Sequence, residues 1–278
     1  MMLVGSLNHG VCGHVECTDS EKLGLGPPSR SFEAIHSEVS TWTASGYFMS
    51  QGEEDKWLLE HLFAHRMTPA ALSRGDRKLF VELGALNGRK YSNTFFFEKA
   101  FGWKGVLIEA ELVNFRHLQE TVNKFRNRSH AVHAAACREP QLIQVQGHRS
   151  MTKISAIGRT VPINAAGPRS NFSSTVLCIP MRTILAAATQ NQNHIQGIEL
   201  YSIDVEGNEL DVVLSHDWAM FPARVVLIEM AKGGDANKEN AALITALRSA
   251  GMCRHTIGVG HRNDVWVDPK YDAKLRAV

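Results

Sequence analysis

The stretch ELYSIDVEGNELDVV, residues 199–213, places Asp204, Glu206, Glu209 and Asp211 at and just beyond the end of an apolar run. Carboxylates this dense can hold a hard cation, move a proton, or start a helix whose dipole favours negative charge. Asp204, Glu206 and Glu209 follow no established cation-loop spacing, so no metal is expected. Glu209 and Asp211 read as first-turn acids of the next helix, whereas Asp204 and Glu206 read as site residues. Upstream, KLFVELGALNG (78–88) runs an apolar strand into a turn whose Gly84, Ala85 and Gly88 let a ligand approach the backbone. Leu86 breaks the dinucleotide pattern G-x-G-x-x-G. GVLIE then ends on Glu109, 21 residues beyond Gly88, where an acid can accept hydrogen bonds from both hydroxyls of a ribose. A glycine turn followed by this acid favours a nucleoside ligand. The general base is open between Glu206 and His148, with Arg149, Ser150 and Lys153 close enough in sequence to His148 to touch an acceptor.

These residues need a frame that brings strand ends together. Apolar runs at 78–83, 105–109, 131–136, 175–180, 198–205 and 224–230 alternate with helical patterns at about 92–101, 111–125, 181–189, 208–216 and 237–250. Such alternation predicts an α/β domain with a mostly parallel sheet covered by helices on both faces. The runs 252–259 and 263–268 have no helix between them and predict a C-terminal antiparallel hairpin. In an open parallel sheet, ligands bind beyond the carboxyl ends of the strands, which is where Glu82, Glu109, Asp204 and Glu206 fall. Residues 141–172 read as a polar insertion over that edge. Residues 1–50 form an extension, and 51–75 a helical lead-in with Glu53, Glu54 and Asp55 at its start.

Composition narrows the function classes. Of 278 residues 44% are hydrophobic and 21% charged, as in globular proteins, and the net charge of +2 gives no footprint for nucleic acid. The run Lys124 to Arg128 reads as a solvated helix end. No apolar run is long enough to span a bilayer. The five cysteines are odd in number and scattered, which fits reduced thiols and a cytoplasmic protein. His9, Cys12, His14 and Cys17 lack the spacing of a closed zinc site.

FVELGALNGRKYSNTFFFEKAFGWKGVLIEA (80–110) resembles the opening of the FkbM-type S-adenosylmethionine-dependent methyltransferases, and SIDVEGNELDVV is similar to that family's later motif. The resemblance extends over about residues 76–268, so that 76–278 would be a methyltransferase domain. It implies a Rossmann-like class I methyltransferase fold with a seven-stranded, mostly parallel sheet ending in the antiparallel hairpin. By position, Glu82, Gly84, Ala85 and Gly88 would line the methionine end of S-adenosylmethionine, while Ser92 and Asn93 fix the loop. Glu109, with Ala110 beside it, would bind the ribose, and Ala135, Ala136 and Cys137 would lie near the adenine. Asp204 and Glu206 would stand near the methyl group and the acceptor. A hydroxyl on a small molecule or glycan is the expected acceptor. An NAD-dependent oxidoreductase and a silent nucleoside-binding module are the alternatives.

Overall fold

The computed structural model describes residues 46–63, 78–148, 151–156, 173–189, 197–260 and 262–270. The extension with its His9, Cys12, His14 and Cys17 lies outside the described residues up to position 45, as do Arg149 and Ser150.

The apolar runs become the strands β1 (Leu79–Leu83), β2 (Lys104–Glu109) and β3 (Ser129–His133), and later β8 (Ile198–Ile203) and β9 (Ala223–Glu229). With the hairpin β10 (Cys253–Val259) and β11 (Asn263–Val267) they form one seven-stranded sheet, ordered β10-β11-β9-β8-β1-β2-β3. Every pairing is parallel except those of β11, which runs antiparallel to both β9 and β10. Both faces are buried, and the period of two sorts the side chains between them. Leu79, Val81, Leu83, Val106, Ile108, Tyr201 and Ile203 enter one core cluster. Phe80, Leu107, Leu200, Val225 and Leu227 enter the other. Continuous apolar runs are therefore what a doubly covered strand requires.

The helices are α1 (Glu54–Leu58), α2 (Phe95–Phe101), α3 (Leu112–Phe125), α4 (Met181–Thr189), α5 (Glu209–Ser215) and α6 (Lys238–Ser249). Caps set several of their ends. Glu111 accepts from Asn114 N at 2.8 Å to start α3, and Asn237 accepts from Glu239 N at 2.8 Å to start α6. Gly102, at φ 65°, ends α2 in the left-handed region. Helix α1 continues as a π-helical turn, Leu59–Phe63, whose Phe63 meets Phe97 and Trp103 edge-on at 5.2 and 5.3 Å. Phe48 stacks on Phe96 at 4.3 Å, so residues 46–63 share the second core cluster.

Four expectations are corrected. The run 131–136 is two strands, because β4 (Ala135–Ala136) leaves the main sheet and pairs with β7 (Ser173–Ile179). The run at 175–180 is part of β7 and not of the parallel sheet. The polar insertion contains β5 (Gln141–His148) and β6 (Met151–Ala156), giving a second sheet ordered β4-β7-β5-β6. Strand β5 reads as polar because one side is wet: Ile143 and Val145 are buried, whereas Leu142 is 54% exposed. The cysteines are not all reduced thiols, since Cys137 and Cys178 form a disulfide with a Cα–Cα distance of 5.4 Å. Cys253 is disulfide-bonded as well. This removes the argument for the cytoplasm that rested on free thiols. Among the described residues no helix is long and apolar enough to cross a membrane.

Candidate active site

The parallel neighbours β1 and β8 bring the two carboxyl-end loops into direct contact. Asp204 N donates to Leu83 O at 3.4 Å, and Gly84 takes φ 73°. A Cβ on Gly84 would fall 1.8 Å from Asp204 O, so no other residue fits there without moving the neighbouring loop. Beyond this contact opens a cleft of about 810 Å³, open solvent at its mouth included.

One wall comes from the ends of β2 and β4. Glu109 is 3% exposed, and both of its carboxylate oxygens are held by backbone: Oε2 accepts from Leu86 N and Oε1 from Glu111 N, each at 2.8 Å. Burial is the largest influence on it and lifts its carboxyl from 4.5 to about 7, against the lowering effect of those N–H groups. Ala110, Ala134, Ala135 and Ala136 continue this wall with small side chains. Asn208 Nδ2 donates to Ala136 O at 2.6 Å and ties the loop after β8 to the same wall.

The other end of the cleft is acidic. Asp204 and Glu206 line it, and burial followed by the negative charge of Glu229 raises the Asp204 carboxyl from 3.8 to about 8. Glu206 is raised too, chiefly by burial and then by Glu229, with Arg262 opposing. Glu209 does more than favour the dipole of α5, because it accepts from Val205 N at 3.0 Å and from Gly207 N, folding the loop back on itself. Asp211 pairs with Arg138 at 2.7 Å, away from the cleft lining. One oxygen each from Asp204, Glu209 and Glu229 lies within 4.8 Å of the others, a separation over which a hard cation could be shared. Glu229 is also bonded to Arg262.

The loop after β1 rests on a buried ionic network. Glu82 accepts from Ser92 Oγ at 2.8 Å, Asn93 N at 2.7 Å and Thr94 Oγ1 at 2.6 Å. Asn93 Nδ2 reaches on to Ser202 Oγ at 3.0 Å. Arg126 is 0% exposed, contrary to the expectation of a solvated helix end. Its guanidinium donates to Glu98 Oε2 at 2.8 Å, Gly88 O at 2.9 Å, Thr94 Oγ1 at 2.9 Å and Ser92 Oγ at 3.1 Å. A planar fork of donors suits this many acceptors in one site.

Of the residues singled out in the sequence, Gly84, Glu109, Ala110, Ala135, Ala136, Asp204 and Glu206 come together around the cleft. Glu82, Ser92 and Asn93 are not in its lining and hold one another beneath it. Ala85 and Gly88, expected to line the methionine end, do not line the cleft: Ala85 is buried in the second core cluster and Gly88 lies against Leu118, while Cys137 is buried in its disulfide. His148 ends β5, and for it and Lys153 only the backbone is described. Sequence reasoning missed Gln51, Tyr91 and Asn208 in the lining, Arg126 beneath, and Glu229 beside Asp204. Glu229 carried a usable signal, since VVLIE repeats the strand-then-acid pattern of GVLIE.

Comparison with known proteins adds the family. The profile described as a methyltransferase FkbM domain matches residues 82–252. Among solved structures, the methyltransferase FkbM from Methylobacillus flagellatus aligns at 13% identity and TM-score 0.36, over 84% of this chain and 60% of that one. The human methyltransferase 10 domain containing protein aligns at 12% identity and TM-score 0.42, over 86% and 96%. A SAM dependent methyltransferase from Aquifex aeolicus aligns at 11% identity and TM-score 0.39, over 86% and 98%. The chain thus spans about 60% of the length of the Methylobacillus protein. No curated protein matches it.

Proposed function

The chain belongs to the FkbM methyltransferase family, and from that premise we propose that it binds S-adenosylmethionine in the cleft and methylates a hydroxyl of a small molecule or glycan. The observation that carries this reading is Glu109, a buried carboxylate at the tip of β2 whose two oxygens are oriented by backbone N–H groups beside a wall of alanines. That arrangement suits a ribose diol with an adenine lying along Ala110, Ala135 and Ala136. Gly84, the glycine of the loop after β1 that lines the cleft, then faces the methionine end, with Glu82, Ser92, Asn93 and Arg126 as the loop's support. Among the described residues no Lys, Arg or His lines the cleft, and its far end carries Asp204 and Glu206, which suits a sulfonium cation.

The cofactor supplies an electrophilic methyl group; the protein must orient the acceptor and take its proton. Asp204, raised to about 8, has an ionised fraction at neutral pH that can accept a hydroxyl proton and holds it more firmly than an ordinary carboxylate. The proton released from the acceptor hydroxyl would be held on the Asp204 carboxylate, and the cofactor would leave as its neutral thioether. Glu206 is the neighbouring candidate, and its φ of 55° is a strained conformation of the kind held at working sites. His148 stays outside this proposal. The Cys137–Cys178 bridge supports an oxidising compartment in place of the cytoplasm expected from the sequence.

Calorimetric titration of the whole chain with S-adenosylhomocysteine and NAD tests the reading, followed by transfer of labelled methyl to hydroxylated acceptors. Binding of S-adenosylhomocysteine and labelled ether products are expected. Binding of NAD alone would overturn the proposal, and binding without any turnover would favour the silent module.

A further inference from the structure

The segment ahead of β1 carries a local arrangement that packing alone does not require. Asp55, 0% exposed, accepts from Met49 N at 2.8 Å, Ser50 N at 3.2 Å and Ser50 Oγ at 2.6 Å. Glu54, 2% exposed, accepts from Gly52 N at 2.7 Å and from Asn263 Nδ2 at 3.1 Å. Burying two carboxylates is unfavourable unless their hydrogen bonds are met, and here those bonds immobilise the backbone on either side of one residue. That residue is Gln51, which is exposed and lines the cleft.

Backbone strain marks the same place. Among the described residues the non-glycine positions with positive φ are Glu53, Leu86, Tyr91 and Glu206. Leu86, Tyr91 and Glu206 line the cleft with Gln51, and Glu53 follows Gln51 by two positions. The hairpin turn fixes which end of the cleft Gln51 occupies. A Cβ on Gly52 would lie 2.8 Å from Gly260 Cα, and Asn263 is the register partner of Glu229. Gln51 therefore stands toward the acidic end, away from the alanine wall.

We propose that Gln51, clamped between Asp55 and Glu54, binds the amino-acid end of the cofactor. This rests on the proposed use of S-adenosylmethionine and goes beyond it by assigning a subsite that lies ahead of residues 82–252. The chemistry is selective. A zwitterionic amino acid needs a donor for its carboxylate and an acceptor for its ammonium group, and a side-chain amide offers both on adjacent atoms. Among the described residues the charged side chains lining the cleft are acids, which serve only the ammonium group. The other amide in the lining, Asn208, already donates to Ala136 O. Gln51 makes no side-chain hydrogen bond among the described residues.

The test uses two ligands that share adenine, ribose and sulfur. S-adenosylhomocysteine has the amino-acid end and 5′-methylthioadenosine lacks it. Calorimetry on the whole chain is expected to show Gln51→Ala weakening the first by about tenfold or more, the scale of a hydrogen bond to a charged group, while the second changes less than about twofold. Gln51→Glu, which sets a carboxylate against the ligand's carboxylate, should weaken the first further. Both variants should melt with the wild type, because the side chain is exposed. Equal weakening of both ligands, or none, overturns the inference. A wild-type chain that binds both ligands equally has no such subsite and overturns this inference alone, whereas one that binds neither overturns the proposed function with it.

Discussion

Replacing Glu109 with Gln separates the role of its charge from that of its shape. Burial raises the carboxyl from 4.5 to about 7, which makes the ionised form about 3 kcal/mol less favourable than in water. A carboxyl raised on folding stabilises the fold below its unfolded value near 4.5, and this contribution is lost as pH climbs through 7. In the proposed complex ribose hydroxyls donate to the ionised form, so ligand binding works in the opposite sense. Between pH 6 and pH 8 the ionised fraction of a group titrating at 7 rises about tenfold, and S-adenosylhomocysteine affinity should rise with it. Glu109→Gln should remove this part of the pH dependence and weaken binding by about 1–3 kcal/mol, since one oxygen becomes a donor facing a backbone N–H. Asp204 titrates in the same window, so the diagnostic quantity is wild type minus variant, read by calorimetry at both pH values. Melting curves should show the variant losing less stability than the wild type over that interval. An affinity slope unchanged by the substitution would refute the assignment of Glu109 to the ribose.

Arg126→Met removes the cation from between Glu82 and Glu98, and urea unfolding should show a loss of about 3–5 kcal/mol; a loss below about 1 kcal/mol would mean that the network is dispensable. Converting Cys137 and Cys178 together to Ser opens a link between residues 41 apart and should lower stability by about 4 kcal/mol on the chain-entropy account. Titration of free thiols on the unreduced protein checks the premise, and reactive Cys137 or Cys178 would contradict the bridge. Asp204→Asn should abolish methyl transfer while S-adenosylhomocysteine affinity stays within a few-fold, and retained turnover would shift the base to Glu206 or His148.

The main sheet was legible because doubly buried parallel strands leave uninterrupted apolar runs, and each ended at the element that followed it. Glu109 and Asp204 were legible for the same reason, as acids standing where an apolar run stops. The second sheet was hidden by its wet face: QLIQVQGH alternates, and its polar half resembles a loop unless the buried Ile143 and Val145 are seen. Arg126 could not be told from Arg128 by type or neighbours, since what buries it is a pair of acids 44 and 28 residues earlier in the chain. Gln51 is legible only through Glu54 and Asp55, which the sequence offers as ordinary helix-start acids. Disulfide pairing depends on the route of the chain between β4 and β7, which spacing does not encode.

The contact between Gly84 and the Asp204 carbonyl has a bearing on how such a chain can diversify. With room for no more than a hydrogen on that α-carbon, the two central loops cannot slide past each other, and the seat proposed for the donor is a fixed mount. Any change in the molecule that receives the methyl group has to be made around this mount, in the strap of residues 46–63, the second sheet and the hairpin turn. Selectivity would then be altered by exchanging peripheral pieces, with the reacting centre left where it is.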